Sequence, residues 1–195
     1  MSSQEVKAVA KQLKAQASIL GGFVATFWIV EIIDRLFFRD KLSYFGIIPH
    51  RLIGLRGVLF APFLHGGWGH LIANTIPFIV LGWFVMLQET SDFFLVTAMT
   101  MLVGGLGVWL FGASGSIHIG ASILIFGYLG FLLLRGYFQR DFPSIFLSII
   151  VGFLYGGLIW GVLPSQQGIS WEGHLFGFIG GVLAARMIGK RRRSS

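Results

Sequence analysis

The chain contains no cysteine. Disulfide bridges, thiolate metal sites and cysteine nucleophiles are therefore excluded. Charge is scarce as well: 12% of the 195 residues are Asp, Glu, Lys or Arg, against 55% hydrophobic ones. Soluble domains carry about 25% charged residues, so a water-soluble globule is excluded. Disorder is excluded too, because it needs low hydrophobicity. There is no internal repeat, low-complexity tract, nucleotide-binding motif or cleavable signal peptide. What is present, including 6 Trp and 20 Phe, suits a chain solvated by lipid.

A bilayer-spanning helix needs about 20 mostly apolar residues. Six segments meet this: roughly Leu20–Phe38, Leu71–Leu87, Phe93–Phe111, Ile119–Leu134, Ile145–Leu163 and His174–Ile188. The expected fold is all-α, a polytopic membrane protein with six transmembrane helices. The first span reads as a signal-anchor. The fourth and sixth are short, as for helices that begin below the membrane surface.

Lys and Arg set the orientation. Lys7, Lys11 and Lys14 precede the first span, Arg135 and Arg140 lie between spans four and five, and Arg186, Lys190, Arg191, Arg192 and Arg193 close the chain. An even number of spans puts all three groups on one side, read as cytoplasmic. Arg39, Lys41, Arg51 and Arg56 then lie outside, a minority. Three regions are expected: a cytoplasmic segment 1–18, a membrane domain 19–189 and a basic cytoplasmic tail 190–195. Residues 1–18 suit a short amphipathic helix on the membrane surface or a solvated tail. The stretch Arg39–Phe63 reads as a loop on or in the outer leaflet. The basic tail is a topology anchor rather than a nucleic-acid site.

Polar residues inside a membrane are costly and mark function. His65, His70 and Asn74 open the second span, Ser122 the fourth and His174 the sixth. These three spans enter from the outside, so the residues share one depth. His70 and Asn74 are four apart and project the same way. Ser122, Phe126 and Gly130 form one stripe, and His174, Gly177 and Gly181 another. Small residues let membrane helices approach closely, which brings the fourth and sixth helices together with Ser122 and His174 at the top. A hydroxyl beside an imidazole base is an activated nucleophile. No carboxylate is placed to orient His174, since Glu172 points elsewhere on the helix. Phe126 is expected to stack on the imidazole. An oxyanion would need donors: the free N–H groups at the start of the fourth helix supply some, and Asn74 and His70 are the side-chain candidates.

The stretches Phe63-Leu-His65-Gly-Gly-Trp-Gly-His70-Leu-Ile-Ala-Asn74, His118-Ile-Gly120-Ala-Ser122 and Gly173-His174-Leu-Phe-Gly177-Phe-Ile-Gly-Gly181 resemble those of the rhomboid family of intramembrane serine proteases. Their order, spacing and six-span frame match over roughly residues 20–188. The resemblance implies a rhomboid-like bundle with Ser122 as nucleophile, His174 as general base, and His70 and Asn74 as oxyanion partners. Phe126, Gly120, Gly177 and His65 are supporting residues. It also implies transmembrane protein substrates, cut near the outer membrane face at small residues with helix-weakening residues beyond. The compact inner loops suit a bacterial plasma membrane, with a plastid membrane as the alternative. The gate would be the fifth span and the Leu163–Gly173 loop. No cofactor is implied.

The family motif is Gly-x-Ser-Gly, and here Ile123 follows Ser122. That departure motivates an alternative: an inactive relative that binds transmembrane clients. A literal Gly112-Ala113-Ser114-Gly115 makes Ser114 a rival nucleophile, ranked below Ser122. His65 is expected to fix the first loop by hydrogen bonds, and His118 to be loop structure. A metal site is a minor reading, because no Asp or Glu joins His65, His70 and His174. A small channel or transporter lacks polar residues through the inner half of the spans. Gly152, Gly156, Gly157 and Gly161 read as helix packing.

Overall fold

The computed structural model describes residues 2–164 and 169–194, and among these it is helical with a single isolated β-bridge. Helix α1, Ser3–Ile33, starts at a capping box in which Ser2 Oγ accepts from the Glu5 N–H and Glu5 accepts from the Ser2 N–H. At about 1.5 Å per residue it is longer than the roughly 30 Å hydrocarbon layer. Residues 3–15 are exposed. The N-terminal segment is thus neither a separate surface helix nor a tail, but the same helix as the first span. Gln16 is its first buried residue, holding the Met86 carbonyl at 3.0 Å and the Trp83 indole at 3.1 Å.

A π-helical turn, Asp34–Phe38, ends the span. Arg39 and Asp40 then take left-handed backbone angles, and the Asp34 carboxylate accepts from the Leu42 N–H at 3.0 Å. Between here and His65 the chain forms short 3-10 turns and one turn of helix, α2, Gly57–Phe60. Leu36, Phe37 and Leu52 stay exposed. This stretch is tied to the loop before the fifth helix by paired backbone hydrogen bonds between Ile47 and His118, 3.0 and 2.9 Å.

Helices α3 (Trp68–Met86), α4 (Thr90–Phe111), α5 (Ser122–Gln139), α6 (Phe142–Tyr155) and α7 (Trp171–Ser194) complete the bundle. Helices α1, α3, α4, α5 and α6 with its 3-10 extension are long and apolar enough to cross a membrane. The sixth expected span lies in α7, which packs against α4 and α5. Protein rather than lipid meets much of its surface, so it needs less apolarity.

Helix α5 is the most enclosed span, and α7 lies on it backbone to backbone. A Cβ on Gly177 would strike the Ile123 carbonyl, one on Gly181 the Gly127 carbonyl, and one on Gly130 the Phe178 carbonyl. The two small-residue stripes therefore meet as their spacing predicts. The basic end of the chain continues α7, and Arg192 pairs with the buried Asp92 at 2.8 Å.

Helix α6 packs against α5 and, with its 3-10 extension, leaves most of its apolar surface facing outward. It stops at Tyr155 and gives way to 3-10 turns over Gly156–Val162. The glycines here do not act alike. A Cβ on Gly152 would meet Leu133 and one on Gly161 would strike Phe126, as packing glycines do, whereas one on Gly156 or Gly157, where the α-helix ends, would meet open space.

Candidate active site

Helix α5 begins where the loop backbone requires it to. Gly120 has φ +120°, and its N–H donates to the Ala61 carbonyl at 2.9 Å. A Cβ there would lie 2.6 Å from His70 Nε2. Both facts call for glycine. Ala121 caps the helix, so Ser122 is its first residue, with an N–H that has no acceptor in the first turn.

At the start of α3 the His70 Nδ1 accepts from the Gly66 N–H at 3.3 Å. In the neutral ring the proton is then on Nε2, the nitrogen beside Gly120. Asn74 donates one amide hydrogen to the His70 carbonyl at 2.8 Å and keeps another. His65 behaves differently from expectation. Both its ring nitrogens are buried, and among the described residues neither has a hydrogen-bond partner. It is held by ring contacts, 5.4 Å from Phe27 and 5.3 Å from His70.

Helix α7 is capped by Ser170, whose hydroxyl accepts from the Gly173 N–H at 3.1 Å. One turn on, His174 Nδ1 lies 2.8 Å from the Gly161 carbonyl. A carbonyl only accepts, so Nδ1 carries the proton and Nε2 keeps its lone pair. The Phe126 ring lies flat on the imidazole, 3.9 Å between centroids and 6° between planes. The orienting partner that no carboxylate provides is thus a backbone carbonyl from the 3-10 turn after α6.

Ser122, His174, His70, Asn74 and Phe126 all line one open cavity of about 1140 Å³. Gly120, close to His70 and Ser122, and Gly177, against the Ile123 carbonyl, lie outside this lining. Ser114 is exposed and outside the lining, with its hydroxyl 3.0 Å from His50 Nδ1. Ile123 does not line the cavity either. It points between α4 and α7, against Gly104 and Gly177. Among the described residues no group of three or more His, Asp or Glu could hold a metal ion. Ser165, Gln166, Gln167 and Gly168, the core of the expected gate loop, lie outside the described residues.

Two residues matter more than their sequence positions suggest. His118 accepts or donates at both nitrogens, to Ser116 Oγ at 2.7 Å and Ser170 Oγ at 2.6 Å. Ser116 Oγ also donates to the Ala113 carbonyl, so His118 Nε2–H donates to Ser116 and the Ser170 hydroxyl donates to Nδ1. Burial holds this imidazole below its ordinary pKa, against an upward pull from Glu172, in keeping with the neutral form. His118 therefore ties the loop that carries Ser122 to the cap of the helix that carries His174. Ser170 was legible as a cap, a serine just before a helix. The Gly161 carbonyl was not, since a backbone acceptor has no residue signature.

A sequence model of the Rhomboid domain matches residues 54–191. The chain belongs to the rhomboid family. This rhomboid is 45% identical over 181 residues to the uncharacterized protein Rv1337 of Mycobacterium tuberculosis, a match covering 89% of this chain and 75% of that one. The uncharacterized protein Mb1372 of Mycobacterium bovis matches equally. The uncharacterized protein ML1171 of Mycobacterium leprae is 44% identical over 89% of this chain and 71% of its own.

Proposed function

We infer that this rhomboid is a serine endopeptidase that cleaves transmembrane helices of other membrane proteins near the outer membrane face. The observation that carries the reading is the shared cavity: a serine at a helix start, an imidazole with its Nε2 lone pair free, and two side-chain N–H donors. In this reading Ser122 Oγ attacks the scissile carbonyl carbon and its proton passes to His174 Nε2. The oxyanion is met by the Ser122 N–H, the Asn74 amide and His70 Nε2–H. The C–N bond breaks, and the imidazolium protonates the leaving amine. Water, deprotonated by His174, then hydrolyses the ester and returns Ser122. The Gly161 carbonyl and the Phe126 ring keep the imidazole in one tautomer and plane.

The partners are transmembrane proteins within the bilayer, in a plasma membrane with both termini cytoplasmic. Entry of a substrate helix is by way of α6, which turns most of its apolar surface outward, and the turns after it. The test is cleavage of a helical transmembrane substrate by purified protein in liposomes. Wild type and Ser114→Ala cut, and Ser122→Ala does not. Loss of cutting only in Ser114→Ala reassigns the nucleophile. No cutting by wild type favours a client-binding relative.

A further inference from the structure

Resting on the endopeptidase reading, we propose that Glu172 selects substrates that carry a lysine or arginine side chain close to the cut. Glu172 is in the first turn of α7, two residues before His174, and only 7% exposed. The surface it keeps opens on the cavity that holds Ser122. Among the described residues that line this cavity it is the one carboxylate, and no Lys or Arg joins it. It makes no ion pair and no side-chain hydrogen bond among the described residues. His118, which shares the lining and feels the Glu172 charge, has both nitrogens bonded to Ser116 and Ser170.

A mostly buried carboxylate with no cationic partner gains from a cation that enters the cavity it lines. An acidic residue in a first helical turn gains from the helix dipole, but that gain needs no burial and no cavity. Here Glu172 lines the same cavity as Ser122, the space a peptide would enter to reach the hydroxyl. A cationic side chain entering there would regain, against Glu172, what it loses on leaving water. An acidic side chain would meet like charge in a poorly screened site. The cavity wall is otherwise apolar or neutral, so charge is discriminated at this one point.

The experiment uses the full chain in liposomes and one transmembrane substrate that it cuts. Single positions through about five residues on either side of the cut carry Lys, Gln or Glu in turn, a span of roughly 15 Å on each side for extended peptide. At one or more positions wild type should favour Lys over Glu by tenfold or more in kcat/KM, about 1.4 kcal/mol. Glu172→Gln should bring that ratio to within about twofold, Glu172→Asp should keep the preference, and Glu172→Lys should reverse it. A role confined to the helix cap would shift the melting temperature of these variants without moving the ratio. Equal cleavage of Lys and Glu substrates by wild type, or a preference that survives in Glu172→Gln, overturns the inference. Failure of wild type to cut any transmembrane substrate, so that no such series can be built, overturns the endopeptidase reading and this inference with it.

Discussion

The side chain of Ile123 fills the notch that Gly104 leaves on α4, so closely that a Cβ on Gly104 would lie 2.6 Å from Ile123 Cδ1. Ile123 is 5% exposed and belongs to the core. The branched side chain beside the candidate nucleophile therefore supports the packing of α4, α5 and α7 and leaves the open cavity clear. Replacing it by the family's glycine removes buried methyl groups and adds a helical glycine. Ile123→Gly is expected to lose about 3 kcal/mol or more of stability and gain no activity. Unfolding in detergent, read beside the cleavage rate, checks this. A variant of unchanged stability that cleaves faster would show that Ile123 crowds the site.

The Phe126 ring covers one face of the His174 imidazole. Stacked aromatic pairs contribute about 0.5–1.5 kcal/mol beyond their buried area. Phe126→Ala should slow reaction at Ser122 by about three- to tenfold through misplacement of the imidazole, whereas Phe126→Tyr should hold within about twofold. Rate constants for a serine-reactive probe, normalised to folded protein, measure it. An Ala variant reacting at the wild-type rate would deny the ring an orienting role.

Ser170 both caps α7 and donates to His118. Loss of an N-cap hydroxyl costs about 1 kcal/mol. Ser170→Ala should lower the melting temperature by a few degrees and slow cleavage further than the cap alone explains, because the tie to the Ser122 loop is lost as well. Ser170→Thr, which retains the hydroxyl, should behave as wild type. His118→Ala combined with Ser170→Ala should add little to either single change, the mark of one shared interaction. Additive effects would show two separate roles.

Much of the fold was legible because lipid imposes a simple rule on side chains. The six apolar segments are helical, and the Gly130 and Gly177–Gly181 stripes meet where helical spacing puts them. The edges were less legible. The fourth span starts at Ser122 rather than Ile119 because Gly120 turns the backbone at φ +120°. The fifth leaves the α-helix at Gly156, so the Gly161 carbonyl reaches His174, which composition alone does not announce. The role of Ile123 depended on Gly104, a residue of another helix. His118 read as loop structure, and its partners Ser116 and Ser170 are brought to it only by the fold.

The central claim is that Ser122 is the hydroxyl activated by His174. It is tested most directly by treating the full chain in membranes with a serine-reactive fluorophosphonate and locating the adduct by mass spectrometry. The account predicts one adduct, on Ser122, absent in Ser122→Ala, at least a hundredfold slower in His174→Ala and unaffected by Ser114→Ala. An adduct on Ser114, or labelling of Ser122 that proceeds at the same rate without His174, would contradict it.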